Sequence, residues 1–312
     1  MKKLFFKGMF VLFAVTVMVL AVYQFPVKAI DEGPRHSGIE RMVRIEAELA
    51  EMRAEIKADG HKFTVGHNPA AKYTIAELCS LDRSKAIPLD HALRNIRENP
   101  ELKRTKALPS AFTGYATSIK DQGSCGSCWC FAAVGLMEAM ILKKDGVEID
   151  LSEQHMLDCN PWGWGCNGGF WPNDMLVDTG SPYESCYPYL AYETPCDSSC
   201  PIDYTIQAWY FVTEDNVVPP TELIKEAIYT YGAVGAGVYV DRWFQMYTSG
   251  VLTRCKRNVN WTNHAIMLCG WDDAKGAWLL KNSWGTGWGE NGYMWIQYGC
   301  DKAGDGAHYF IY

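Results

Sequence analysis

The chain has no tryptophan before Trp129 and only one cysteine, Cys79, before Cys125, although it holds twelve of each. A front third so poor in both lacks the means for a disulfide-stapled, aromatic-packed core of its own. No apolar run reaches the roughly 20 residues that a membrane-spanning helix requires, and the stretch Met9–Tyr23 stops short of it. Positive charge is scarce further on, where residues 109–312 carry 11 basic and 23 acidic side chains, net −12. That deficit excludes nucleic acid or an anionic bilayer as the natural partner of this part, and it favours solubility. With 48% apolar and 21% charged residues, wholesale disorder and a fibrous repeat are excluded as well.

What the front does contain is ordered by function. Lys2, Lys3 and Lys7 precede the apolar run, and Val27 and Ala29 follow at the spacing of a signal-peptidase site. Residues 1–29 therefore read as a secretory signal, with a retained anchor as the alternative. Export would in turn permit disulfides. Ile39, Met42, Ile45, Leu49, Met52 and Ile56 recur at steps of three and four, which predicts an amphipathic helix over 39–56. A Gly/Asn/Pro break follows, then a short helical pattern ending near Leu81. The basic stretch 94–106 reads as an exposed linker open to proteolytic nicking. Residues 30–107 are thus expected to be a removable inhibitory pro-segment, the alternative being a helical adaptor that stays.

The sharpest chemical signal is KDQGSCGSCWCFAAVGLMEAMILKKDG. Residues 129–142 are almost continuously apolar and too long for a strand, and Gly146 follows as a stop, so a buried helix is expected from about Cys128. A cysteine at a helix N-terminus feels the positive end of the dipole, which favours the nucleophilic thiolate. Such a nucleophile needs a base. His36, His61, His67 and His91 fall in the front segment, His155 lies in a polar helical stretch expected at the surface, and His308 lies in the last strand. His264 opens an apolar strand, where its ring can project into a cleft. Asn282 follows the next predicted strand, and its neutral amide can orient that ring without taking its proton.

QGSCGSCW at 122–129, GCNGG at 165–169, NHA at 263–265 and NSWGTGWGENGY at 282–293 together resemble the papain-like cysteine peptidases over about 109–312. His264 and Asn282 stand 136 and 154 positions after Cys128, near the spacing that accompanies this signature. The resemblance implies that Cys128 attacks the scissile carbonyl, that His264 is its proton partner, and that Asn282 orients His264 under the shield of Trp284. The Gln122 amide and the Cys128 backbone N–H would form the oxyanion hole. Gly168 and Gly169 would pair with an extended substrate. Phe170, Gly237, Thr262 and Ala265 would line the main specificity pocket, with bulky apolar or aromatic side chains preferred. Asn263 stands where several relatives have aspartate.

The family framework further implies disulfides Cys125–Cys166 and Cys159–Cys196. The run CYPYLAYETPCDSSC and the segment VGHNPAAKYTIAELC are similar to cathepsin B, which adds Cys186–Cys200. Its histidine-bearing occluding loop is missing, and that absence favours an endopeptidase, with an exopeptidase or a thiol acyltransferase as alternatives. Cys255–Cys300 is a candidate fourth bridge, and Cys130 and Cys269 are left as buried free thiols. The implied architecture is α+β and papain-like. A helical subdomain over 108–210 and a β-rich, barrel-like one over 211–312 would enclose the active-site cleft. Peptide substrates and the chain's own pro-segment are the expected partners of an exported monomer, in the medium, a periplasm or a lysosome- or vacuole-like compartment. No cofactor or metal is implied.

Overall fold

The front segment forms one long helix, α1 (Gly38–Asp59), whose register follows the apolar stripe only in part. Ile45, Leu49 and Met52 are buried, whereas Met42 is 60% exposed, so the helix docks through its later turns. Two ion pairs fasten those turns to the rest of the molecule: Glu48 to Arg242 at 2.6 Å and Glu55 to Arg254 at 3.0 Å. The computed structural model describes residues 38–86 and 107–312; the expected signal at 1–29, the linker at 94–106, His36 and His91 lie outside the described residues. Residues Met42–Tyr312 make one unit, and the contacts described below are within it.

After α1, strand β1 (Thr64–Val65) is followed by a one-turn 3-10 helix at Pro69–Lys72 and by α2 (Ile75–Leu78). Thr74 and Glu77 close α2 with a reciprocal capping box, satisfying N–H groups that a helix start otherwise leaves open. Strand β2 (Ala111–Thr113) comes next, and then α3 (Cys128–Asp145), which ends on Gly146 at φ 71°. That left-handed residue is the stop anticipated from the sequence. Helices α4 (Glu153–Cys159) and α5 (Asn173–Asp178) complete the helical part. Trp129, Leu136, Met156, Trp164 and Leu176 belong to its buried core. His155 is the correction here. Its residue is 5% exposed, with Ser152 accepting its N–H at 2.9 Å and the Tyr187 ring 5.8 Å from its own. The disulfide-closed loop after α4 covers a face whose sequence is polar.

The second part runs β3 (Ala208–Phe211), α6 (Thr221–Tyr231), β4 (Val234–Val238), α7 (Arg242–Gln245), β5 (Tyr247–Ser249), β6 (Val251–Leu252), β7 (His264–Asp272), β8 (Ala277–Lys281), β9 (Tyr293–Gln297) and β10 (Asp305–Ile311). The sheet order is β3-β10-β4-β7-β8-β9-β6, with β2 added alongside β7; all pairs are antiparallel except β6–β9. The chain therefore has the papain-like α+β two-domain fold, although β2 and β3 carry the ends of the helical part into the sheet. Both strands are too short to show an alternating pattern. The front segment adds to the sheet structure too, through β1 antiparallel to β5. Four disulfides are present: Cys125–Cys166, Cys159–Cys196, Cys186–Cys200 and Cys255–Cys300. Cys79, Cys128, Cys130 and Cys269 are free and buried. No helix among the described residues is long and apolar enough to cross a membrane.

A buried amide clamp locks the front segment down. Asn68 accepts from the Ala70 N–H at 3.0 Å and donates to the Gln245 carbonyl at 2.9 Å, while the Gln245 amide donates to the carbonyls of Ala70 and Tyr73 at 2.8 and 2.9 Å. Removing one partner strands a buried polar group at about 1–3 kcal/mol. Asn68→Ala is expected to raise the rate at which a trace protease trims the front segment by about fivefold or more. An unchanged rate would show that this clamp does not hold the segment in place.

Candidate active site

Cys128 is the first residue of α3, His264 the first of β7, and Asn282 the first after β8, so each side chain stands at the end of a regular element. Helix and strand can approach because Gly135 faces Met267; a Cβ at Gly135 would lie 2.9 Å from the Met267 sulfur. The Ala265 backbone, next to His264, hydrogen-bonds to the Cys128 thiol. Nε2 of His264 lies 2.8 Å from Oδ1 of Asn282. The Trp284 ring covers this pair 4.9 Å from the imidazole, with Phe244 behind it at 6.3 Å.

Gln122 is fully buried and held at both ends of its amide. Oε1 accepts from the Ser283 hydroxyl at 2.7 Å, and Nε2 donates to the Cys125 carbonyl at 2.9 Å. The other donation from Nε2 goes to the Leu78 carbonyl, also at 2.9 Å. The front segment thus lays a peptide carbonyl against the amide expected to bind an oxyanion. Ser80 covers Cys128 with its backbone and hydroxyl, and that hydroxyl also donates to the Gly126 carbonyl. Further along, Leu81 N–H donates to the Asn263 carbonyl at 3.0 Å, Gly169 N–H to Ser80 at 3.2 Å, and Asp82 N–H to Gly169 at 2.8 Å. A Cβ on Gly169 would strike the Trp129 ring at 2.5 Å, and one on Gly168 would meet the Ser80 carbonyl at 2.7 Å. At Gly168 the missing side chain is what lets the two backbones approach.

Leu81 shares an apolar cluster with Phe170 and Ala265. Its Cδ2 lies 3.3 Å from where a Cβ on Gly237 would be, beside Thr262. A side chain of the front segment therefore shares the apolar cluster of Phe170 and Ala265 and reaches Gly237. The Asn263 carboxamide uses both ends on Val240, accepting from its N–H at 2.7 Å and donating to its carbonyl at 3.1 Å. An aspartate could not make the second bond.

Burial dominates the electrostatics. It pushes the Cys128 thiol up, against hydrogen bonds from Ala265, Ser80 and Trp129. It lowers His264 to about 4, against support from Asn282 and the Leu78 backbone. In this closed state burial disfavours the charged form of both groups.

Several participants carried no signal in the sequence. Leu78 and Ser80 act through backbone and hydroxyl, and Ser283 is one serine among many. Behind the site lies a buried charge network: Lys120 Nζ meets Glu138 at 2.9 Å, Glu153 at 2.9 Å and Asp150 at 2.7 Å, and Lys281 donates to Thr117 at 3.1 Å. Burial raises Glu153 to about 8. Lys120 and Lys281 lie within two residues of Gln122 and Asn282, so the network anchors both segments.

Residues 110–310 match the sequence profile of the papain family cysteine proteases. A cathepsin L-like proteinase of Fasciola hepatica is 33% identical over 248 residues, 74% of this chain and 73% of its own length. Cathepsin S of Bos taurus is 32% identical over 250 residues, 75% of this chain and 72% of its own. Among solved structures, digestive procathepsin L 3 of the Tenebrio molitor larval midgut superposes with a TM-score of 0.72 at 25% identity, covering 90% of this chain and 95% of that one. These relatives are of the L and S types, whereas the pro-segment and cysteine ladder drew the comparison with cathepsin B.

Because the His264 value is depressed from 6.5 to about 4, its contribution to the closed state is fully present above about pH 6.5 and is lost as pH falls towards 4. Trimming of the front segment by an acid-tolerant protease is therefore expected to accelerate across that window. In His264→Gln, the acceleration should flatten; an identical profile would place the acid response elsewhere.

Proposed function

This chain belongs to the papain family of cysteine proteases, and from that premise we propose how its own residues carry out endopeptidase chemistry and hold it latent. The Cys128 thiolate attacks the scissile carbonyl carbon, and the resulting oxyanion is bound by the Gln122 amide and the Cys128 backbone N–H. The His264 imidazolium protonates the departing amine as the C–N bond breaks, leaving a thioester on Cys128. His264, now neutral, takes a proton from water; the hydroxide attacks the thioester and releases the acid, and the Cys128 thiolate leaves beside the reprotonated His264, restoring the starting pair. Asn282 fixes the ring tautomer and orientation throughout, and Trp284 keeps water from that hydrogen bond.

The observation that carries this proposal is the Leu78 carbonyl on Gln122 Nε2, which supports the view that the site accepts peptide main chain with its carbonyl directed at the amide. The precursor is a zymogen, and the structure supplies a physical reason for its silence. Sealed under residues 78–82, the thiol is pushed up and the imidazole down, which disfavours the thiolate–imidazolium pair. Once the pro-segment departs, water returns to both groups, and the helix dipole at Cys128 again favours the thiolate.

We further propose that kinship with cathepsin B is confined to the pro-segment and to the added 186–200 bridge beside 159–196. Between Cys186 and Cys196 there is no histidine to grip a substrate's C-terminal carboxylate. An oxidising compartment, outside the cell or lysosome-like, suits four disulfides.

An epoxide-type thiol-peptidase inhibitor is expected to label the matured protein at Cys128 alone. Cys128→Ala should lower kcat/KM on peptide substrates by at least about 1,000-fold. Labelling at Cys130 with activity intact, or amine transfer outrunning hydrolysis, would overturn the proposal.

A further inference from the structure

Thr262, on the wall of the pocket that holds Leu81, donates its hydroxyl to Oδ2 of Asp305 at 2.9 Å. Asp305 opens β10, has no exposed surface, and pairs across the sheet with Gly237, another pocket residue. The same Oδ2 accepts from Nη2 of Arg83 in the pro-segment at 3.0 Å, while Nη1 of Arg83 donates to Asp215 at 2.7 Å. The guanidinium lies over the ring of Phe170, 5.2 Å from its centroid. One arginine is therefore gripped by two carboxylates and an aromatic face, a set suited to a planar, multi-donor cation.

When the pro-segment leaves, Arg83 leaves with it, but Asp305 and Asp215 stay. Asp305 is then short of partners. Its Oδ1 makes no hydrogen bond, and Lys302 Nζ approaches that oxygen at 3.1 Å without hydrogen-bond geometry. Lys302 is also drawn to Asn216 at 3.3 Å. A buried carboxylate that has lost a cation is costly, so a replacement guanidinium is favoured.

We propose, resting on the peptidase function above, that Asp305 and Asp215 form a guanidinium subsite in the mature cleft, and that Arg83 is its internal occupant in the precursor. A substrate arginine would lay its methylene stem along Phe170 and Ala265 and place its head on the two acids. The apolar preference expected from the pocket walls is thereby joined by a second, basic one. Lysine is disfavoured, because a single ammonium cannot span both carboxylates as the fork does.

The test is a fluorogenic peptide library scanned over the acyl-side positions, using the matured enzyme. At the position that accepts leucine, arginine is expected within about threefold of leucine in kcat/KM, and lysine about tenfold below arginine. Asp305→Asn should lower the arginine-to-leucine ratio by about tenfold or more. Asp215→Asn, on the partly exposed arm, should lower it less, and it provides the readout if the buried substitution fails to fold. A wild-type ratio below about one-hundredth, or a ratio unmoved by either variant, overturns the subsite alone. A matured enzyme that cleaves neither peptide overturns the peptidase function and the subsite with it.

Discussion

The packing of α3 against β7 is the constraint on which the rest of the molecule depends. Cys128 begins the helix and His264 begins the strand, so their relation is set by how closely two rigid elements can lie. A β-carbon on Gly135 would come within 2.9 Å of the Met267 sulfur, so substitution there would force the Met267 side chain to shift. Loops could not hold thiol and imidazole to the few tenths of an ångström that proton transfer requires. The buried charges of Lys120, Glu138 and Glu153 sit behind the same contact, tying the Gln122 segment to α3 and α4. Removing Lys120 would take from both buried acids the cation they share, which makes it the fixing member of the cluster.

Placed on that frame, latency and recognition use one set of contacts. The pro-segment gives Gln122 a carbonyl, gives Gly169 a backbone partner, puts Leu81 into the pocket and sends Arg83 to its floor. Tight closure by an imitation of substrate has a direct electrostatic effect. The same burial that excludes water also withdraws the charges on which the nucleophile depends. The Asn68–Gln245 clamp and the ion pairs from α1 use residues outside the catalytic set, so the hold on the segment does not rest on that set alone.

Legibility in the sequence followed the range of the interactions. Cys128, Gln122, His264 and Asn282 sit in short runs with distinctive composition, and the Gly146 stop and the β7 and β8 strands come from local pattern. The stripe on α1 was legible as a helix, but Met42 shows that periodicity names a face and not the length of it that docks. His155 looked like a surface residue because its neighbours in the chain are polar; its neighbours in space are Tyr187 and the disulfide loop. Asp305 lies in a Gly-Asp-Gly run that suggests nothing, and Asp215 is 90 residues earlier. They come together because the sheet sets β10 beside β3, and Arg83 bridges them only when the pro-segment is seated.

The free thiols show why position outweighs residue type. Cys130 and Cys269 are as deeply buried as Cys128, and burial pushes both up, Cys269 to about 12. Those two are enclosed by α3 and the sheet, a core that persists as long as the chain is folded, so burial keeps disfavouring their thiolates. Cys128 is sealed mainly by residues 78–82, which belong to a segment that can leave. Its thiol alone, of the three in the body, can pass from the buried regime to one governed by a helix N-terminus and an imidazole. Of the eleven body cysteines, four bridges and two buried thiols thus leave Cys128 alone, and the lid over it decides when its reactivity is available.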